Sequence, residues 1–593
     1  MNDNKATEKK PIGFVIKFIA ANKPSLLILQ LLVVIFGGIG SAINVLLMKY
    51  AVDSIAIGRS IQSVVWVILA FIGFYTAGLL YATWFKCAYV PRAVLHLREK
   101  MNLNIFRKII DTDIEQFEET DFYNKYSRAV LEAENRIINV CDSLFNLIGS
   151  LVGIAGIVAV IMLMDGWMLV ISIVSLLFSV FFSSKLAPVR FSMDQERLPH
   201  YRRLDYVKRI LSSQQYCKEL KLYPVGNLLI DEYHKEKNII DDNLKKTGKK
   251  LSPLSFFSEF VGLITDPAII LYLAVSIMSG RLVIGDFAAL IMASSNFRNM
   301  IGGVLNHIPV LKEHSMYISQ LQEFLDMDSK VETNVGTSIN ETMENMEASG
   351  VGFTYLSGTH AVSDVSFSIK KGEKIAIVGE NGAGKTSLIK LLLRLYDTSE
   401  GKIRINGTDY KDITTAALRA HFATVFQDFQ YYAMSIAENV LMKRVENKEE
   451  EEKVWRALDL CGLGEKIRGL EKGIYSQLTQ EFDNTGVLLS GGELQKLAIA
   501  RAIAGDSDIL IMDEPSSAMD PISEKKFFEM VFENFKDKTI IMVSHHLSYT
   551  TKFDKICYMK NGKITEAGTF RQLLDLNGGY AELYNAQLDK FSA

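Results

Sequence analysis

Gly379-Glu380-Asn381-Gly382-Ala383-Gly384-Lys385-Thr386 follows the apolar run Ile375-Ala376-Ile377-Val378 and leads into Ser387-Leu388-Ile389-Lys390-Leu391-Leu392-Leu393. Strand, glycine loop and helix in that order are what a Walker A phosphate loop requires. The glycines let backbone N–H groups curl around phosphate oxygens, and the helix that follows points its positive end at them. Lys385 adds a point charge for the outer phosphates, and the Thr386 hydroxyl is placed to ligate Mg2+.

Working outward, further elements stand at informative distances. Tyr355 lies ahead of the loop, where its ring face is placed to stack on adenine, although a strand tyrosine is more often simply packed. Gln427 ends the apolar run Thr424-Val425-Phe426. Leu489-Ser490-Gly491-Gly492-Glu493 precedes a helical segment. Ile509-Leu510-Ile511-Met512 reads as a buried strand ending in two carboxylates, of which Asp513 suits the Mg2+ shell and Glu514 suits polarising an attacking water. Ile540-Ile541-Met542-Val543-Ser544 is another apolar strand, and it ends in His545, placed to contact the γ-phosphate and orient the water. Each piece has a bland alternative; their ordered co-occurrence makes the case.

The 593 residues are too many for one domain. A net charge of −3 offers no bulk electrostatic case for nucleic acid as partner. Five cysteines (Cys87, Cys141, Cys217, Cys461, Cys557) show no metal-ligand spacing, so reduced thiols in a mainly cytosol-facing protein are expected. The basic N-terminus lacks a small-residue cleavage site and is not read as a removable signal. Residues 10–24 carry apolar residues three and four apart among lysines, as in a helix lying on a membrane surface.

Long apolar runs fill the first half. Ser25–Met48, Val64–Phe85, Phe145–Met164 and Trp167–Phe182 are expected to span a membrane, with less regular segments at Leu254–Ser279 and Ile284–Ile308. The short links at 49–63, 165–166 and 280–283 hold few basic residues, whereas the long links near 86–140 and 185–250 hold many. Basic residues stay cytoplasmic, so both termini and both long loops are expected inside. Each long loop has a break suited to a short transverse helix, at Asp113–Tyr123 and Gln215–Tyr223. Phe117, Phe122 and Tyr123 among acids favour a docking element over a plain surface helix. The expected fold class is therefore a six-span α-helical membrane bundle followed by an α/β phosphate-loop NTPase domain. Its parts are a membrane domain at 1–325, a polar linker at 326–349, with an edge strand as the alternative for part of it, and a nucleotide domain at 350–593.

Together these motifs resemble ATP-binding cassette (ABC) exporters, in which each chain is half a transporter. The family pattern falls on Walker A (379–386), the Q-loop glutamine Gln427, the signature Leu489-Ser490-Gly491-Gly492, Walker B (509–514), the D-loop Ser517-Ala518-Met519-Asp520 and the switch His545. The resemblance implies catalytic roles for Glu514, His545, Lys385 and Asp520. It implies ATP contacts from Tyr355, Gly379, Asn381, Gly382, Gly384, Lys385, Thr386, Ser387, Gln427, Ser490, Gly491, Gly492 and Glu493. Mg2+ falls to Thr386, Gln427 and Asp513. It also implies that two nucleotide domains pair head to tail, each ATP lying between Walker A of one and Ser490–Gly492 of the other. The second subunit is expected to be an identical chain, with a heterodimer as the alternative. The sequence departs from the family at Glu493, where glutamine is commoner, and at His546, where arginine is frequent.

The stretch Leu478–Gly486, Val425–Phe429 and Phe117–Tyr123 are more similar to bacterial exporters of lantibiotics and related peptides than to multidrug or lipid exporters. The expected function is ATP-driven export of a modified peptide such as a lantibiotic-like bacteriocin, across the cell membrane. A lipid or multidrug exporter is the alternative, and a non-transport cassette ATPase is less favoured. Glu259 and Asp266 stand seven residues apart, on one face of the fifth segment, and Arg298 and His307 lie on the sixth. The two acids line a route for a cationic peptide, or one of them pairs with Arg298, or Glu259 lies near the cytoplasmic end and is simply hydrated.

Overall fold

The computed structural model describes residues 11–58, 60–332, 336–338, 342–482, 484–505, 507–516, 519–544 and 547–592. The chain divides into two units. Residues up to 107 and 124–326 form one; residues 108–123 and those from 327 onward form the other.

The uncharged runs of the first half become long helices. After α1 (Pro11–Asn22) come α2 (Pro24–Ala56) and α3 (Ile61–Trp84), which continues through a π-helical turn (Phe85–Tyr89) into α4 (Val90–Ile110). The short α5 (Ile114–Glu118) is followed by α6 (Thr120–Met164), α7 (Gly166–Ser212), the short α8 (Cys217–Leu222), α9 (Val225–Met278) and α10 (Ile284–Leu325). Among the described residues, Pro24–Ala56, Ile61–Ile110 and Arg136–Met164 are long and apolar enough to cross a membrane. The other three expected segments fall within α7, α9 and α10, where Leu263–Met278 is a shorter apolar stretch. Helix α3 buries none of its residues and exposes Trp66, Leu79 and Leu80, an apolar surface suited to lipid rather than water. The core of this unit forms where Val45 of α2, Ile157 and Ile161 of α6, Met168 of α7, Leu273 of α9 and Leu290 of α10 converge.

Several charges in this unit are paired. Lys49 of α2 forms an ion pair with Asp286 in the first turn of α10. Asp286 also accepts the Val283 N–H (3.2 Å), while Asp53 accepts that of Gly285 (3.1 Å). Arg298 of α10 grips Asp266 of α9 through both guanidinium Nη atoms, one at 2.9 Å. Of the two readings of the acids, pairing with Arg298 therefore holds for Asp266; the Glu259 side chain lies outside the described residues.

The second unit is an α/β domain built on two sheets. Strands β1 (Asn345–Thr354) and β2 (His360–Lys370) precede the central strand β3 (Lys374–Gly379) and α11 (Lys385–Leu392). Then come β4 (Glu400–Ile405), β5 (Thr408–Asp409), α12 (Thr415–Arg419) and β6 (Phe422–Val425). A helical stretch follows: α13 (Ile436–Leu441), α14 (Lys448–Leu460), α15 (Gly464–Arg468) and α16 (Gly491–Ala504). The chain ends with β7 (Ile509–Asp513), α17 (Pro521–Asn534), β8 (Thr539–Val543), β9 (Lys555–Lys560), β10 (Lys563–Gly568), α18 (Phe570–Leu576) and α19 (Gly579–Ser592). Strand β1 begins at Asn345, inside the segment read as linker. Met346 and Ala348 alternate inward along it, a pattern too short to stand out among polar neighbours.

The larger sheet has the order β10-β9-β3-β8-β7-β6, parallel except for the β10–β9 hairpin. The smaller is antiparallel, β2-β1-β4-β5. Period-two alternation sends Ile375, Ile377, Ile509 and Ile511 into one core and Ala376, Val378, Leu510 and Met512 into another on the opposite face. Strands buried on both faces explain the unbroken apolar runs in the sequence. Their carboxyl ends gather the loops that carry the chemistry.

Residues 108–123, which run from the end of α4 through α5 into the start of α6, pack with this unit. Asp113 is 4% exposed, and its carboxylate accepts the backbone N–H groups of Lys330 (2.7 Å), Val331 (3.1 Å) and Glu332 (2.9 Å). Phe117 and Phe122 meet edge to face, centroids 5.3 Å apart, and Phe122 is buried. Arg419 then fastens Glu332 at 2.7 Å. Phe117 and Phe122 thus pack on each other in a segment that belongs to this unit, and the Tyr123 side chain lies outside the described residues.

Candidate active site

The phosphate loop leaves β3 through Gly379 and enters α11 through Gly384. Both have positive φ (+152° and +96°). A Cβ on Gly379 would lie 2.2 Å from the Met559 carbonyl oxygen, and one on Gly384 would lie 2.3 Å from that of Ala361. Neither position tolerates a side chain. The loop is thereby held with its backbone N–H groups at the start of α11, the arrangement that binds anions.

Lys385 is buried, and its Nζ donates to the carbonyl oxygens of Gly379 (2.8 Å) and Glu380 (2.9 Å). Burial lowers its pKa from the ordinary lysine value, an effect that Glu514 and Asp513 partly oppose. Thr386 Oγ1 donates to Asp513 Oδ2 at 2.9 Å, joining Walker A to the end of β7. Asp513 is 2% exposed, and its Oδ1 has no hydrogen-bond partner among the described residues. Burial raises its carboxyl above the usual value, against the Thr386 hydrogen bond and Lys385. A buried carboxylate oxygen left open beside a threonine hydroxyl is a donor set that fits a hard cation such as Mg2+.

Glu514 follows Asp513 with a left-handed backbone (φ +50°), its N–H donating to Val543 O at 3.1 Å. That conformation is strained for a residue with a side chain, and such strain collects at reacting centres. Gln427 lies exposed in the turn after β6. Its neighbour Asp428 acts on Asp513 through space, so this turn borders the same site.

Tyr355 is half-buried. Its hydroxyl shares a 2.9 Å hydrogen bond with Ser387 Oγ, and its ring meets Phe353 and Tyr396 edge to face at 4.8 and 5.7 Å. The buried Tyr396 donates to Glu118 of the docked segment. Burial first, then Glu118, pushes the Tyr396 phenol above its ordinary range, so it stays a donor. Tyr396 escaped sequence reasoning; its partner is 278 residues away.

Ser490 and Gly491 are exposed at the start of α16, away from Walker A in the chain and open to solvent. Glu493, in the first turn of α16, accepts the Ser490 N–H at 2.9 Å. Asp520 is engaged locally: it caps α17, accepting the N–H groups of Ile522 and Ser523 (3.0 Å each) and the Ser523 hydroxyl (2.6 Å). Asn381 and Gly382 stand in the loop, and Gly492 in the first turn of α16. His545, with Ser517 and Ala518 of the D-loop, lies outside the described residues.

A strand-borne phosphate loop, a buried acid at the end of the next-but-one strand and a glycine-rich helix start together define a cassette-type ATPase. Residues 362–517 match the family model described as ABC transporter. Together with the similarities that follow, this match supports an ABC exporter half-transporter, a helical membrane domain joined to an ATPase that couples ATP hydrolysis to transport. Its fold is shared with a bacterial Atm1-family ABC exporter whose structure was solved with ATP bound. The TM-score is 0.79 at 20% identity, covering 96% of this chain and 99% of that one.

Two relatives match along most of their length. The subtilin transport ATP-binding protein SpaT of Bacillus subtilis is 29% identical over 81% of this chain and 78% of its own. The nisin transport ATP-binding protein NisT of Lactococcus lactis subsp. lactis is 28% identical over 83% and 82%. A beta-(1→2)glucan export ATP-binding/permease protein, NdvA of Rhizobium johnstonii, is 34% identical over 52% of each.

Proposed function

We propose that two copies of this chain form an exporter in the cell membrane that moves a modified peptide of the lantibiotic type outward at the expense of ATP. The reading is supported above all by similarity to the subtilin and nisin transport proteins along four-fifths of the chain, membrane half included. The glucan-export relative, though somewhat more identical, matches over only about half of each chain.

In this reading six helices span the membrane: α2, α3 with its continuation, α6, α7, α9 and α10. Residues 1–325 form the membrane domain with both termini cytoplasmic, and the nucleotide domain follows the linker. ATP lies between Gly379–Ser387 of one subunit and Ser490–Gly492 of the other, with Tyr355 beside the base. Thr386, Gln427 and Asp513 hold Mg2+, which when bound neutralises phosphate charge. Glu514 takes the proton of the attacking water, His545 orients that water, and Lys385 leaves the Gly379 and Glu380 carbonyls for the phosphates. Closure of the dimer is passed to the helices through the segment around Glu118.

The test is ATPase activity in vesicles reconstituted with the full chain. A cationic modified peptide should stimulate it and accumulate in the lumen of inside-out vesicles. Stimulation by lipids or hydrophobic drugs without peptide movement would overturn the substrate assignment.

A further inference from the structure

Residue 493 carries a negative charge at a place built for anions. Glu493 sits in the first turn of α16, a helix whose start, Ser490 to Gly492, meets the ATP γ-phosphate in the reading above. Helix N-termini attract anions through unpaired N–H groups and the helix dipole, so a carboxylate fixed there weakens that attraction. The carboxylate is fixed indeed: it accepts the Ser490 N–H at 2.9 Å and cannot swing away without freeing that donor.

The structure supplies its counter-charge from another helix. Lys466, on α15, places Nζ 2.7 Å from Glu493 Oε1 and 2.8 Å from Oε2. The ammonium thus faces both oxygens rather than one. Lys466 first, then the Ser490 N–H, holds the Glu493 carboxyl below its ordinary pKa. The pair spans two helices and is centred on the exposed signature turn, whereas Arg468, two residues on, is committed to Asp459 at 2.7 Å through both nitrogens.

We propose that Lys466 is a positioning residue for ATP: by neutralising Glu493 it restores to the start of α16 the positive end that the γ-phosphate needs. Lys466 does not itself touch nucleotide. It acts through Glu493, and its effect falls on assembly of the closed, ATP-bound dimer rather than on the hydrolytic step. The proposal rests on the reading of ATP bridging two subunits.

The experiment is a charge cycle on the full chain in vesicles, with KM for ATP and kcat measured for wild type, Lys466→Met, Glu493→Gln and the double variant. Lys466→Met should raise the KM about fivefold, with the larger share of the change in KM rather than kcat. Glu493→Gln alone leaves an unopposed cation and should lower the KM. The double variant should return it toward wild type. At about 1 M salt, where the screening length is about 3 Å, the differences should shrink.

Recovery in the double variant also shows that Lys466→Met has not unfolded α15. A wild-type KM in Lys466→Met, or a double variant as impaired as Lys466→Met, overturns the inference. Failure of the underlying reading looks different: wild type would then show no ATPase activity, or Glu514→Gln would hydrolyse normally.

Discussion

Two aspartates show how differently the two units use a carboxylate. Asp513 in the ATPase unit ends a strand buried on both faces. It is almost wholly enclosed, yet one of its oxygens has no hydrogen-bond partner among the described residues. Asp286 in the helical unit is also nearly enclosed, but its oxygens are taken by Lys49 and the Val283 N–H. Leaving a buried carboxylate oxygen open costs stability, and a fold retains that cost where a ligand later fills the place. Filling both oxygens with the chain's own donors yields a joint between helices. Asp266, also in the helical unit, is paired as well, but its side chain is 51% exposed.

The largest expected effect breaks this comparison on the ATPase side. Glu514→Gln should retain ATP binding and lose hydrolysis by about 10²–10⁴-fold, measured as steady-state phosphate release. Normal turnover would remove Glu514 from its assigned role. Asp513→Asn keeps the shape but removes the carboxylate charge that would hold a cation. It should raise the Mg2+ concentration needed for activity at least tenfold while leaving thermal stability equal or higher, because a buried charge is gone. A fall in stability would mean that Asp513 is a structural acid like Asp286.

On the structural side, Asp286→Ala strands Lys49 and should destabilise the helical unit by about 3 kcal/mol, read as a lowered midpoint of thermal unfolding in detergent. Asp113→Ala leaves three N–H groups without their acceptor. A local loss of about 2 kcal/mol should appear as faster proteolysis near residues 327–332, with basal ATPase persisting and substrate stimulation reduced. The smallest effect on stability belongs to Asp266→Asn, at most about 1 kcal/mol for an exposed pair. Should that variant alter peptide transport without altering stability, Asp266 serves the route as well as Arg298; if neither changes, the pair is only a surface contact.

The catalytic half was legible because its pieces are contiguous. A phosphate loop is built by consecutive residues between one strand and one helix, and so is the acid pair at the end of β7. Asp520 shows what such reading leaves out: besides the role that the motif implies, its carboxylate has three local partners at the start of α17. Strand β1 marks a limit, since a strand in this polar segment is expected at most at a sheet edge, whereas β1 lies between β2 and β4.

The contacts that bind one part of the chain to another left no local trace. Asp113 meets residues 217 to 219 positions away, and Tyr396 meets Glu118 at 278. A lone aspartate or tyrosine carries no mark of its partner, whereas the pairing of Arg298 with Asp266 is among the expected readings because charged groups at membrane depth need partners. Even the Lys466–Glu493 pair, only 27 residues apart, depends on how α15 turns toward α16.

By itself, then, the sequence determined the elements whose chemistry is local: the glycine-built cradle, the strand-end acids, the exposed signature turn and the apolar helices. Backbone conformation and periodic burial follow from neighbouring residues, so they can be read in order. Only the tertiary structure decided which charges are spent on holding the fold and which are left for a ligand. Pairing depends on distances between elements, and those are set by packing rather than by position in the chain.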